Sequence, residues 1–138
     1  MIGLIASIAL VSLNSSRAKA RDARKKADFR QISTALQLYY DKNGAMPDSL
    51  GSGCSNYEQS MQQLVDAGFL ARVPLSPDGS GYCYYNYGPG SIGALMVTTL
   101  ETSPNTTTGD PPSCRPWPAG VNWCDQSSNK GYCICNTY

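Results

Sequence analysis

Three stretches of different polarity follow one another at the start of the chain. Residues 2–13 are almost entirely apolar, residues 17–30 carry seven basic side chains, and residues 29–40 mix apolar and polar positions. In the third stretch, apolar side chains recur at intervals of three and four residues, which is the repeat of a helix with one buried face. The pattern predicts a helix with an apolar beginning, a basic middle and an amphipathic end.

The length of this helix follows from where helix-breaking residues occur. No Gly or Pro stands between Ala18 and Asp41, while Asn43 and Gly44 supply a stop signal. We therefore expect one continuous helix of about 40 residues, roughly 60 Å long. The side chains predicted to pack it against the rest of the chain are Phe29, Ile32, Ala35, Leu36, Tyr39 and Tyr40.

The remainder of the chain, residues 44–138, is rich in Gly and Pro and is predicted to form a separate unit, which we call the head. Ser55 or Asn56 is a suitable cap for a short second helix, which Gly68 would end. The apolar face of this helix is expected to consist of Met61, Leu64 and Val65.

Strand patterns occur at three places in the head. Residues 82–87 are rich in Tyr and residues 94–100 form the clearest strand, with a Gly- and Pro-containing turn between them, so we expect an antiparallel hairpin. Residues 131–135 predict a third strand, and residues 102–120 a long surface loop. The predicted fold class is α+β, in which the long helix of residues 1–43 packs on a small antiparallel sheet.

Composition narrows the range of possible functions. The chain contains no histidine, which excludes a Ser-His-Asp triad, a Cys-His pair and a His-ligated zinc ion. No pair of carboxylates or activated nucleophile stands out, so we do not expect an enzyme. Asp110 and Asp125 are too isolated to suggest a calcium site, and we predict no metal and no cofactor.

The six cysteines all lie in the head. An even number of cysteines in a small, turn-rich region is typical of disulfide bonds formed in an oxidising compartment. Zinc binding is the alternative, but the spacing is a poor match to known zinc sites. Two of them, at positions 133 and 135, should share one face of the last strand and bond to different partners. The pairing is left open among Cys54, Cys83, Cys114, Cys124, Cys133 and Cys135.

Charge is distributed very unevenly. Residues 17–30 have a net charge of +5, from seven bases and two acids, whereas the other residues have four bases and eight acids, which is −4. The basic stretch could lie at a membrane surface or find counter-charges on neighbouring molecules, and a solvated helix face without a partner is the alternative. Weak, non-specific nucleic-acid binding is a further interpretation.

The apolar stretch of residues 2–13 has no partner face within so small a domain. It is also shorter than the roughly 20 residues that span a bilayer. Such a surface must be covered by lipid or by copies of itself, and a helix contact that does not close into a ring gives an open filament. The side chains predicted to mediate membrane contact and assembly are Ile2, Leu4, Ile5, Ile8, Leu10, Val11 and Leu13.

Several short motifs follow one another in the first third of the chain: IGLIASIAL at 2–10, SLN at 12–14, RAKARDARKKAD at 17–28, QISTALQLYY at 31–40 and NGAMP at 43–47. They resemble the N-terminal helix of type IV pilins and of type II secretion pseudopilins. The resemblance covers residues 2–47, and a looser similarity runs from Leu64 to Pro77. The basic leader, the Gly, the Glu and the first half of the apolar helix that the family carries are not in this sequence, so we expect a truncated or late-started chain.

The resemblance implies a pilin-like fold and a non-enzymatic subunit that polymerises with copies of itself. It also implies contact with inner-membrane assembly machinery, a membrane-bound precursor and a final location in an extracellular or periplasmic filament. A pilus subunit for adhesion, motility or DNA uptake is the first expectation. The alternatives are a type II secretion pseudopilin and a secreted, disulfide-rich binding module.

The sequence gives few indications of what the surface of the head binds. Large aromatic side chains can form a stacking platform for sugars or bases, or simply the small core of the disulfide-bonded part. Glycosylation patterns begin at Asn14 and Asn105, of which only the second lies on a predicted exposed loop. The aromatic residues in question are Trp117, Trp123, Tyr132 and Tyr138.

Overall fold

The fold was analysed from a computed structural model of the chain, which describes residues 2–51, 53–89, 93–102 and 131–136. It contains two helices and a three-stranded antiparallel sheet in these ranges. Within them, no helix combines the length and the apolar character that crossing a membrane requires.

Helix α1 runs without interruption from Ile2 to Asn43, a length of 42 residues. The predicted single long helix is therefore confirmed, and at 1.5 Å per residue it is about 63 Å long. It ends where Gly44 adopts a φ of 75°, a left-handed conformation that glycine tolerates far better than other residues. The Gly44 N–H donates a hydrogen bond of 2.7 Å to the Tyr40 carbonyl and so closes the last turn.

Helix α2 spans Tyr57–Asp66 and packs its buried face against α1 and the sheet. Met61 and Leu64 are buried, as the sequence predicts, while Val65 is only partly buried. Asn56 occupies the N-cap position, but its side-chain amide donates to Gln59 Oε1 at 2.6 Å and does not cap the helix.

The sheet consists of β1 (Cys83–Asn86), β2 (Ala94–Thr99) and β3 (Gly131–Asn136), in that spatial order. Both pairs of neighbouring strands are antiparallel. The predicted hairpin and the predicted third strand are therefore both present, and the chain has the α+β, pilin-like fold that the sequence indicates.

Strand register divides the sheet into two faces. Tyr84, Met96 and Ile134 lie side by side on the three strands and belong to the main core, together with the buried face of α1. On the opposite face lies a second buried cluster, which contains Leu95, Val97, Cys133 and Cys135. The final strand thus directs both of its cysteines to the face that points away from α1.

Candidate functional site

The amphipathic end of α1 supplies the main contact between helix and head. Phe29, Ile32, Ala35 and Leu36 are at most 2% exposed. Phe29 packs its ring against two tyrosine rings of the head, with centroid distances of 5.0 Å to Tyr82 and 5.7 Å to Tyr132. Tyr39 and Tyr40 are partly buried at the edge of the same cluster.

The basic middle of α1 contributes a second contact, which is ionic. The Lys25 side chain is fully buried, and its Nζ donates to Asp78 Oδ2 at 2.6 Å, to Ser80 Oγ at 3.2 Å and to the Thr99 carbonyl at 2.5 Å. An ammonium group has three hydrogens, so these three acceptors satisfy it. Lys25 therefore connects α1 to the turn before β1 and to the end of β2.

Asp22, one turn earlier, holds the chain segment that follows β2. Its carboxylate accepts hydrogen bonds from the Glu101 N–H at 2.8 Å, the Thr102 N–H at 2.9 Å and the Thr102 hydroxyl at 2.6 Å. Arg21 forms a two-pronged ion pair with Glu101, at 2.6 and 3.0 Å. Asp28 accepts a hydrogen bond of 2.7 Å from the Tyr82 hydroxyl.

Helical spacing favours two ion pairs within α1, Asp22 with Lys26 and Arg24 with Asp28. Neither pair is formed among the described residues. Both carboxylates turn toward the head, where backbone N–H groups and a phenol offer less mobile partners than a lysine or arginine on the surface. Lys26 instead lies over the Tyr132 ring, 5.7 Å from its centroid.

These contacts shift the acidity of the carboxyl groups. Burial raises the pKa of Asp22, but the hydrogen bonds from Glu101 and Thr102 and the nearby Lys25 charge outweigh it, so the pKa lies below its usual value. For Asp78, burial is likewise outweighed by hydrogen bonds from Lys25, Ser76 and Ser80, and the pKa lies well below its usual value. Both groups are therefore ionised at neutral pH.

The structure thus divides the seven basic residues of the 17–30 stretch into two sets. Three of them, Arg21, Lys25 and Lys26, contact the head. The other four are exposed and form no ion pair within the ranges that the structure describes. These four are Arg17, Lys19, Arg24 and Arg30.

A surface cavity of about 340 Å³ lies between α1 and the segment that follows α2. Arg24, Asp28 and Gln31 line it from the helix. The opposite wall is formed by residues 71–75, which are Ala71, Arg72, Val73, Pro74 and Leu75. Two arginines thus border one concave, partly apolar surface.

One disulfide bond joins Cys54, which precedes α2, to Cys83 at the start of β1. Cys133 and Cys135 are disulfide-bonded as well. The predicted disulfide chemistry is therefore present. Cys114 and Cys124 lie outside the described residues, and the predicted pairing of Cys133 and Cys135 with two different partners stays a prediction.

The structure also locates other residues that the sequence singles out. Tyr132 is 3% exposed and packs in the core, so it is not part of a surface stacking platform. Leu13 is 51% exposed and Asn14 is exposed on α1. No cluster of three or more potential metal ligands occurs among the residues that are described. Outside the described ranges lie Trp117, Trp123, Tyr138, Asn105, Asp110, Asp125 and most of the 102–120 loop.

Comparison with known proteins agrees with this architecture. The type II secretion system core protein G of Vibrio cholerae is 25% identical to the chain over 112 residues, which cover 72% of the chain and 70% of that protein. The chain resembles a pseudopilin. No protein-family profile matches the chain, and no solved structure matches it significantly. The resemblance to a pseudopilin therefore rests on sequence similarity to this relative and on a pilin-like fold.

Proposed function

We propose that this chain is a structural, non-enzymatic subunit of a pilin-class filament, which polymerises through α1 and displays the head. The observation that carries the proposal is a 42-residue helix whose side chains are described from Leu13 onward. Among the described contacts, those with the head begin at Arg21. Residues 13–17 are exposed, and the sequence of residues 2–13 is apolar, a surface that needs a cover.

Within this class, a type II secretion pseudopilin is the favoured assignment. Similarity to a core protein G supports it. A pilus subunit for adhesion, motility or DNA uptake is the second candidate, since the chain has a long cysteine-containing region after β2 that could serve as a displayed surface. Filament location separates the two, because we expect a pseudopilin filament in the periplasm and a pilus outside the cell.

The proposed location is the cell envelope. The chain would first lie at the inner membrane, where residues 2–13 contact lipid, and then enter a filament with the help of membrane assembly machinery. The Cys54–Cys83 disulfide fits an oxidising compartment such as the periplasm. Nucleic-acid binding would be weak and non-specific, because only four of the seven basic residues remain exposed.

Electron microscopy of the purified chain tests the proposal. We expect filaments or helical bundles from the wild-type chain and none from an Ile5→Glu/Ile8→Glu variant, since a buried carboxylate in a helix-to-helix contact is strongly unfavourable. Leu50→Glu is the matched control, because Leu50 is 41% exposed on the head and has no role in the proposed contact. A monodisperse wild-type monomer at high concentration would favour a secreted binding module instead.

A further inference from the structure

The outer face of the sheet, which points away from α1, is both apolar and buried. Leu95 and Val97 on the central strand are 0% and 9% exposed, and Cys133 and Cys135 on β3 are 1% and 6% exposed. Within the described ranges, every member of this cluster belongs to the sheet itself. Side chains that stand next to each other on one sheet face leave their ends open to solvent, so burial this complete requires a layer above them.

Part of such a layer lies at the β1 edge of the sheet. Gly53 lies directly against the Tyr85 ring, where an added Cβ atom would clash. The next residue, Cys54, forms the disulfide bond with Cys83. These residues account for the β1 side only, because β2 and β3 lie further across the sheet. The rest of the layer must come from another part of the chain.

The two cysteines of β3 indicate which part of the chain this is. Cys133 and Cys135 are both disulfide-bonded. The first two cysteines of the chain are bonded to each other, so they are not available as partners. The chain contains six cysteines in all. The β3 cysteines are therefore bonded either to each other or to Cys114 and Cys124.

Strand geometry disfavours a bond between the two β3 cysteines. Cys133 pairs with Val97 and Cys135 pairs with Leu95, so both belong to a regular, extended strand. Two residues in this relation have Cα atoms about 6.7 Å apart, close to the upper limit of about 6.8 Å for a disulfide bond. Their Cβ atoms also point in the same direction rather than toward each other. Each cysteine therefore needs a partner that lies above the sheet.

The segment that contains the two remaining cysteines is long enough to reach this face. Residues 103–130 lie between β2 and β3 in the sequence, and the chain returns to the sheet at Gly131. Cys135 lies about 13 Å along β3 from that point. Cys124 precedes Gly131 by seven residues, which span up to about 25 Å when extended. Cys114 has a still longer connection, so both cysteines can reach the outer face.

We propose that residues 103–130 of the same chain dock across the outer face of the sheet. Two disulfide bonds fix them there, from Cys114 and Cys124 to Cys133 and Cys135, in either order. On that side, the head then presents this segment to other molecules in place of the apolar sheet. The inference goes beyond the proposed filament function and does not depend on it, because it concerns contacts within a single chain.

Disulfide mapping of the full, non-reduced chain tests the pairing. After free thiols are blocked, cleavage before aspartate and after lysine releases residues 110–124 and 131–138, each of which contains two cysteines. We expect these two peptides to remain joined and to separate only on reduction. Two separate peptides, each with an internal disulfide bond, would overturn the proposal. A disulfide-linked dimer on a non-reducing gel would also overturn it, because the cover would then belong to a second copy.

A charge on the covered face tests the burial separately. Val97→Lys should lower the melting temperature by about 5 °C or more, because the layer above would bury an ammonium group without a partner. The matched control is Thr99→Lys, which adds the same charge at an exposed position on the same strand and face. Its melting temperature should stay within about 2 °C of the wild type.

Removal of the disulfides shows whether they hold the cover in place. In a Cys133→Ser/Cys135→Ser background, the difference between the two lysine variants should fall to less than about half, because the segment can then move aside. If that background does not fold, the mapping and the two lysine variants still decide. Equal melting temperatures of the two lysine variants would overturn the cover, whether or not the wild-type chain forms filaments.

Discussion

Lys25 has a buried ammonium group that attaches the head to α1. Its three acceptors come from two separate parts of the head, the turn at Asp78 and Ser80 and the end of β2 at Thr99. A buried charge without partners would be strongly destabilising. The side chain is therefore tolerated in the core only because the head supplies all three oxygens.

Replacement of Lys25 by Met should lower the free energy of unfolding by about 3 kcal/mol, since the apolar volume remains but Asp78 loses its partner in a partly buried position. Chemical denaturation of the purified chain measures this. Lys19→Met is the control, with an expected change within about 0.5 kcal/mol because Lys19 is exposed and forms no ion pair in the described ranges. Equal effects of the two substitutions would mean that the ion pair does not anchor the head.

Acid should destabilise the fold through Asp22 and Asp78. The pKa of each is lower in the folded chain than in the unfolded chain, where it is about 3.9. Their stabilising contribution is thus complete at neutral pH and is lost as the pH falls below about 4 toward the folded pKa values. Denaturation curves across this range should show a decline that Asp22→Asn and Asp78→Asn both reduce. A decline of unchanged slope in the double variant would assign the acid sensitivity to other groups.

At the level of elements, three tyrosines connect strands and helices to the loops between them. Tyr57 on α2 donates to the Pro74 carbonyl at 2.7 Å, and Tyr84 on β1 donates to the Pro47 carbonyl at 2.6 Å. Tyr82, just before β1, donates to Asp28 on α1. Burial raises the pKa of Tyr57 and of Tyr82, and Asp28 raises both further. Each element is thus held to an irregular segment by a buried phenol.

Tyr84→Phe should destabilise the chain by about 1 kcal/mol, because the Pro47 carbonyl loses the shorter of its two hydrogen bonds and keeps that from the Asn86 amide at 3.1 Å, while the ring packing is kept. Tyr87→Phe is the matched control on the same stretch, since Tyr87 is 39% exposed, and its effect should be near zero. Thermal unfolding of the two variants compares them directly. A Tyr84 variant as stable as the control would show that the hydrogen bond from the Asn86 amide is enough for the Pro47 carbonyl.

At the scale of the whole molecule, the later part of α1 packs against the head, whereas residues 13–17 do not. From Arg21 onward, ionic and then apolar contacts attach it to the head. Before that point, residues 13–17 are exposed and only Ala18 is of intermediate exposure. The helix at residues 13–17 therefore depends on its own hydrogen bonds, which are weak without tertiary packing.

Hydrogen exchange of the unassembled chain should therefore show two regimes. We expect amides between Asp22 and Leu36 to exchange only through global unfolding, and amides before about residue 20 to exchange through local fraying, many times faster. Mass spectrometry of peptide fragments resolves the two parts. In filaments, protection of the earlier part should rise toward that of the later part. Uniform protection in the monomer would mean that another contact holds the start of α1.

Much of this architecture can be predicted from the sequence, because local patterns determine it. The uninterrupted helix, its end at Gly44, the hairpin and the third strand follow from periodicity and turn residues. The ionic contact was missed, although its signal is present: Asp22 and Lys25 continue the three-and-four spacing of Phe29, Ile32 and Leu36. Charged residues at core positions of a helix are easily assigned to the solvent-exposed face, because the pattern along the sequence does not show which groups they contact.

The sequence by itself determined the long helix, the short second helix, the three strands and the presence of disulfides. Only the tertiary structure decided which of the seven basic residues bind the head and which remain exposed. The physical reason is that charge pairing depends on residues about 50 to 80 positions away, such as Asp78 and Glu101, and local periodicity contains no information about such partners. The cavity between Arg24 and Arg72 exists for the same reason, because folding brings together two segments that no local pattern relates.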